Sequence, residues 1–181
     1  MCIRDRDLLA ETGDEFDFAE FYGNRLRQPI TGTGRDISQR FAAIGGLSEN
    51  GTAADAEQLL PLAQDPERRI ATAAVRGVAK LGHASHRDWL MDLLVDPRPG
   101  IGREAMHGLK KEPGQLPVAR LREIFHGHAD TRGRLRALTL LLLCSVYDAI
   151  PDAIFAIGSH EPALAAKGSA FLSAVSFTHL T

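Results

Sequence analysis

The feature that most constrains this chain is that it repeats itself. Ala42-Ala43-Ile44-Gly45-Gly46-Leu47-Ser48-Glu49-Asn50-Gly51 aligns without a gap on Ala73-Ala74-Val75-Arg76-Gly77-Val78-Ala79-Lys80-Leu81-Gly82, residue 73 on residue 42, an offset of 31. Leu59, Leu62, Asp65 and Pro66 fall in the same register on Leu90, Leu93, Asp96 and Pro97, and Ile70, Ala74, Gly77 and Val78 on Ile101, Ala105, Gly108 and Leu109. Further on, Leu90, Leu93 and Leu94 fall on Leu121, Ile124 and Phe125, and a slip of three then sets Asp130 and Leu135 opposite Asp96 and Ile101. A period in this range marks stacked supersecondary units, none of which buries its apolar face alone.

The pattern inside a unit is helical. Ala56, Leu59, Leu60 and Ala63 lie at helical spacing behind a Thr52/Asp55 capping box, which predicts a first helix over about Ala53 to Ala63. Asp65-Pro66 should end it and start a second, with Asp as N-cap and Pro in the first turn. That second helix carries Ile70, Ala74, Val78 and Leu81 on one stripe and should finish in a left-handed cap at Gly82. The next unit repeats the scheme with a Ser85/Asp88 box, Leu90 to Leu94, Asp96-Pro97, and Ile101, Ala105 and Leu109. No stretch alternates with period two. The expected fold is all-α, an α-solenoid of about four antiparallel helical hairpins. Ala73, Ala74 and Ala105, with Gly46, Gly77 and Gly108, fall where neighbouring helices should cross closely.

The helix, Asp-Pro turn and small-residue-rich second helix ending in Leu81-Gly82 resemble the bacterial HEAT-like repeats of the phycobilisome-lyase type over about Ile37 to Leu172. That family often places an Arg six residues after the turn Asp. Arg136 answers to it after Asp130, whereas Ala71 and Gly102 stand in that place after Asp65 and Asp96, so no unbroken Asp-to-Arg ladder is expected. Pro151 and Pro162 near helix starts make the last unit the weakest match. The resemblance implies a partner-binding surface on the concave side, lined by the second helix of each unit, and its lyase kinship implies a chromophore-lyase activity that no residue here supports.

The organisation outside the repeats is read from composition. Phe16, Phe18, Phe21 and Tyr22 cluster among Asp14, Glu15, Asp17 and Glu20 ahead of a Pro29 to Gly34 loop, which suggests that residues 7–34 are a capping helix and loop on a repeat domain of residues 35–173. Met1 to Arg6 reads as the translated transposon end of tagmentation libraries. Val175-Ser176-Phe177-Thr178-His179-Leu180 differs by one residue from a reading of the complementary strand, so residues 1–6 and 174–181 are expected to be adapter read-through. With Cys2 in the first run, Cys144 stands alone in an apolar helix and reads as a small buried hydrophobe; no disulfide framework is expected, and the cytoplasm is the default compartment.

The composition, 44% hydrophobic, 24% charged and 6% aromatic with a formal charge of -2, excludes a disordered chain and a surface that is basic throughout. Leu138 to Cys144, the most apolar run, falls far short of the ~20 residues a membrane span needs. A local basic stripe remains open. Off the buried face of the second helices, Thr72, Arg76 and Lys80 recur as Arg103, His107 and Lys111, each at the offset of 31. Adjacent helix axes ~8–10 Å apart would let these charges act as one field, a natural seat for a protein partner with an acidic segment or, second, for nucleic acid; the other reading is a solvated helix face whose Lys and Arg serve solubility. The pairs His83/His86 and His126/His128 should lie at opposite rims and share no metal. Gly32-Thr33-Gly34 and Gly100-Ile101-Gly102 lack the length and strand context of phosphate loops. The expectation is therefore a non-catalytic interaction scaffold without cofactor, with Trp89, aligned on Gln58, packed between units or on the convex face.

Overall fold

The computed structural model describes residues 17–28, 34–82, 85–98, 100–128 and 130–178. The adapter-like run Met1 to Arg6, Asp14, Glu15 and Phe16, the loop from Pro29 to Thr33, and His83 lie outside them, as do residues 179–181. The described residues form ten α-helices and no strand: α1 (Phe18–Arg27), α2 (Gly34–Asn50), α3 (Ala56–Leu59), α4 (Arg68–Leu81), α5 (Arg87–Asp92), α6 (Ile101–Leu109), α7 (Val118–Gly127), α8 (Thr131–Cys144), α9 (Ile150–Ile157) and α10 (Pro162–Thr178).

Each odd-numbered helix pairs with the even-numbered one that follows it, and the even-numbered helices touch in succession, α2 on α4, α4 on α6, α6 on α8, α8 on α10. The predicted all-α stack is therefore present, with five hairpins among the described residues where about four were expected. Phe18–Arg27 pairs with α2, and the weakly matched last unit, α9 and α10, closes like the others.

The buried stripe is the one the periodicity names. Ile70, Ala74 and Val78 of α4 and Ile101, Ala105 and Leu109 of α6 are buried, as are Ala56, Leu59 and Ala63 from the segment before α4. Trp89 of α5 is half-buried and packs against both apolar clusters of the core, one around Ile44, Leu47 and Ile70, the other around Leu90, Phe125 and Leu138, so it sits between units. Tyr22 of α1 lies on Gly46 of α2, where a Cβ would stand 2.3 Å from the phenol Cζ and 2.4 Å from Cε2. At the offset of 31, a Cβ on Gly77 would stand 2.5 Å from Leu59 Cδ1 and Ser48 Oγ, and one on Gly108 2.5 Å from Ala79 Cβ. The recurring glycines are contact points between helices, and the packing outweighs the ~1 kcal/mol by which Gly disfavours a helix interior.

The ends of the helices depart from the sequence reading in four places. Ala53 to Ala63 is not one helix: a 3-10 turn at Ala53–Asp55 leads into α3, and a second runs over Pro61–Gln64, because Pro61 has no N–H to give to the helical ladder. The Thr52/Asp55 box is present, with Thr52 N and Oγ1 donating to Asp55 Oδ2 at 2.8 and 2.9 Å, and the Thr52 amide holds the Asp55 carboxyl below its usual range. Asp65 does not cap α4. It accepts from the amide of Glu67 at 2.8 Å to close the turn, and Glu67 caps the helix by accepting from the Arg69 amide at 3.2 Å. Gly82 has φ -129, not a left-handed conformation. Glycine is needed there because a Cβ would lie 2.7 Å from His86 Nδ1 and 3.0 Å from Ala56 Cβ. His86, not Ser85, is the N-cap of α5, without a side-chain capping bond.

Arginines close the joints at the Asp-Pro turns. Arg40 of α2 reaches Asp65 at 3.3 Å and the Leu26 carbonyl at 3.4 Å. Arg98 grips Asp96 and donates to the Ala63 carbonyl of the preceding unit at 2.7 Å. Arg136 donates to the Leu94 carbonyl at 2.6 Å, and Arg134 to Phe125 O at 2.8 Å. Gly102 stands where Arg is usual because Arg136 lies over it; a Cβ there would also meet the Leu93 carbonyl at 2.9 Å. Arg136 and Arg134 donate to backbone carbonyls, so the Asp-to-Arg ladder is interrupted, as the sequence reads.

Candidate functional site

The α4 and α6 stripes meet at a carboxylate the sequence reading did not single out. Glu104 of α6 is 6% exposed, and Arg76 of α4 grips it with both edges, Nε on Oε2 at 3.0 Å and Nη2 on Oε1 at 3.2 Å. Arg103 Nη2 stands 3.5 Å from the same Oε1. Burial pulls the Glu104 carboxyl upward, but the hydrogen bonds and charge of Arg76, with Arg103 and His107, outweigh it and hold the group below its usual value. The one signal of this in the sequence is that Glu104 replaces Ala73 of the preceding unit, a charged residue in a small-residue position.

Of the six predicted residues, Arg76 and Arg103 come together, their side chains 62% and 63% exposed around the shared carboxylate. Lys80 turns to the neighbour on its other side and forms an ion pair with Glu49 of α2, 31 residues back, which lowers the Glu49 carboxyl through hydrogen bond and charge. Lys111 Nζ donates to the Ala79 carbonyl at 3.0 Å, satisfying the last turn of α4. His107 is exposed, and Thr72 is half-buried against Gly100. Five potentially cationic side chains are thus interleaved with two carboxylates, Glu49 and Glu104. Next along the row, Arg69 lies over the Phe41 ring with its guanidinium carbon 5.2 Å from the centroid.

A second polar row joins the odd-numbered side of the stack. His86 sets Nδ1 2.9 Å from Gly82 O and Nε2 2.9 Å from Glu57 Oε1. Arg120 of α7 pairs with Asp88 and Asp92 of α5, and Arg87 reaches Gln115 and Glu112. Asp152 of α9, 3% exposed, accepts from Arg122 Nε at 2.9 Å, and His126 Nε2 stands 3.1 Å from its other oxygen. His128 Nδ1 accepts from the Asp130 amide at 3.0 Å, so His126 and His128 face different partners. Cys144 is half-buried; its thiol donates to Leu140 O, and burial pushes its pKa up, away from nucleophilic reactivity. Among the described residues no group of three or more His, Cys, Asp and Glu is placed to hold a metal ion, and no helix is long and apolar enough to cross a membrane.

Residues 56–141 match the family model described as HEAT repeats, which spans the central hairpins from α3 into α8. No curated protein matches the chain. The stacked hairpins have the all-α, HEAT-like solenoid fold that this match describes over its own residues.

Proposed function

We propose that the chain is a non-catalytic scaffold that binds a protein partner on the exposed, concave face of α4 and α6, through Thr72, Arg76, Lys80, Arg103, His107 and Lys111. HEAT repeats in general are protein-interaction scaffolds, which supports the class of function. The observation that carries the site is the presentation of Arg76 and Arg103 side by side, both well exposed and both steered by one buried carboxylate. Two guanidinium groups drawn to one carboxylate suit a bidentate acceptor such as a second carboxylate. The partner segment is acidic. The compartment is the cytoplasm, no cofactor is used, and the ends, residues 1–6 and 174–181, are adapter-derived.

Binding to an array of acidic peptides tests this. Wild-type protein should bind a subset saturably and in a sequence-dependent way, and Arg76→Glu combined with Arg103→Glu should abolish it while thermal unfolding stays cooperative. Unchanged binding in the double variant sinks the site. The second reading, nucleic-acid binding through the same stripe, is favoured only by its cations. It requires affinity that falls steeply with salt and varies little with sequence.

A further inference from the structure

The turns that lead into α4 and α6 face each other across a cavity of about 370 Å3. Ala71 and Ile101, both buried, form its apolar floor, and Gln64, Asp65, Arg68 and Arg98 its polar walls. Asp65 is already engaged by Arg40 and by the Glu67 amide. Arg98 is fixed from behind: Nε and Nη2 are bound to Asp96, and Nη1 to Ala63 O. A guanidinium has five N–H donors, so these bonds leave two for something else, on a group that cannot swing away. Arg68 comes from the opposite wall. Its Nη2 is 4.0 Å from where a Cβ on Gly100 would be, and Gly100 holds φ 96, a left-handed conformation that favours glycine.

We propose that this cavity takes a single carboxylate side chain, Glu or Asp, of the acidic partner segment; the proposal rests on the reading of the α4–α6 face given above. Arg68, Thr72 and Arg76 lie four residues apart on one slanting face of α4, which sets Arg68 about 12 Å from Arg76 along the helix axis. An extended peptide rises about 3.3 Å per residue and shows alternate side chains to one side. Two acidic residues at positions i and i+4 of an extended segment therefore reach both places, the first in the Arg68/Arg98 cavity and the second on Arg76 and Arg103. A nucleic-acid strand suits this path less well. Glu104 and Glu49 interrupt the cations where a phosphate backbone would run, and the cavity seats one compact anion between apolar Ala71 and Ile101.

The experiment uses the full chain labelled with nitrogen-15 and the end-capped pentapeptide Glu-Ser-Thr-Ser-Glu. Arginine side-chain Nε–H signals are read, those of Arg68 and Arg98 assigned through Arg68→Lys and Arg98→Lys. Saturable shifts are expected at Arg68, Arg98, Arg76 and Arg103. Gln in place of one Glu should remove the shifts at Arg68 and Arg98 while leaving those at Arg76 and Arg103, and Gln in place of the other should do the reverse. Arg68→Gln, at an exposed position, should weaken the peptide about tenfold, or about 1.4 kcal/mol, while thermal unfolding stays cooperative. Shifts confined to Arg76 and Arg103 overturn the cavity and leave the wider reading standing. No shift at any of the four overturns both. Larger shifts at Arg68 and Arg98 with oligothymidylate than with the peptide overturn the carboxylate in favour of a phosphate strand.

Discussion

Gly108 of α6 rests against Ala79 of α4 so closely that a Cβ on the glycine would stand 2.5 Å from the alanine Cβ and 3.4 Å from its Cα. Neither atom belongs to a flexible side chain, so the helices themselves must separate to admit a methyl. Gly108→Ala should destabilise by about 1–3 kcal/mol despite the higher helix propensity of alanine. Gly45, in mid-helix of α2 with nothing within 4 Å of its Cβ position, supplies the control: Gly45→Ala should stabilise by about 0.5–1 kcal/mol. Urea unfolding of the two variants measures both, and an equal sign for the two would refute the packing argument.

The Glu104 carboxyl gives a pH dependence of definite sign. Its pKa is lower in the folded protein than in the unfolded chain, so its contribution is complete above the unfolded value, about 4.3, and drains away as pH falls through the folded one. Asp55 and Asp96 are lowered too and act in the same direction, Asp96 because its bonds to Arg98 outweigh the cost of burial. Stability should fall below roughly pH 4.3, and Glu104→Gln should make that acid slope shallower while lowering stability at neutral pH. Thermal midpoints between pH 3 and 7 decide it.

Asp152 predicts an asymmetry. Its carboxyl is buried, whereas the side chains of Arg122 and His126 that meet it are each 40% exposed. Taking the acid away lets both partners return to water, and Asp152→Ala should cost about 1–2 kcal/mol. Taking both partners away strands a charge inside the protein, so Arg122→Ala with His126→Ala should cost more, about 3 kcal/mol. Denaturant titration that ranks them the other way rejects this account.

Arg98→Lys keeps the charge but loses the fork that joins Asp96 to the Ala63 carbonyl. A loss of about 1–2 kcal/mol is expected, with amide exchange faster at the start of α4 than in α8. Uniform acceleration along the chain would mean that Arg98 does not act at this joint.

The stack was legible in the sequence and its joints were not, for a physical reason. The offset of 31 records the face that each unit buries against its neighbours, so Ile70 with Ile101, Ala74 with Ala105, and Gly77 with Gly108 announce the same helix face. Pro61 was legible too, as a residue that cannot continue Ala53 to Ala63, but the repeat pattern overrode it. The polar joints depend on which side chains neighbouring helices bring within reach. The ion pairs Arg40–Asp65 and Arg76–Glu104 and the hydrogen bond from Arg136 to Leu94 O span 25, 28 and 42 residues, and no common period links these three. For the same reason the sequence offers Arg76 and Arg103 as candidates but not the carboxylate that orients them.

Among the described residues the even-numbered helices pack in succession, and no substantial packing joins α1 and α2 to α9 and α10. Heat or pulling force is then felt one joint at a time. Melting should travel inward as a front from each extremity, and the seam between α4 and α6, supported on both flanks, should be among the last parts to come undone.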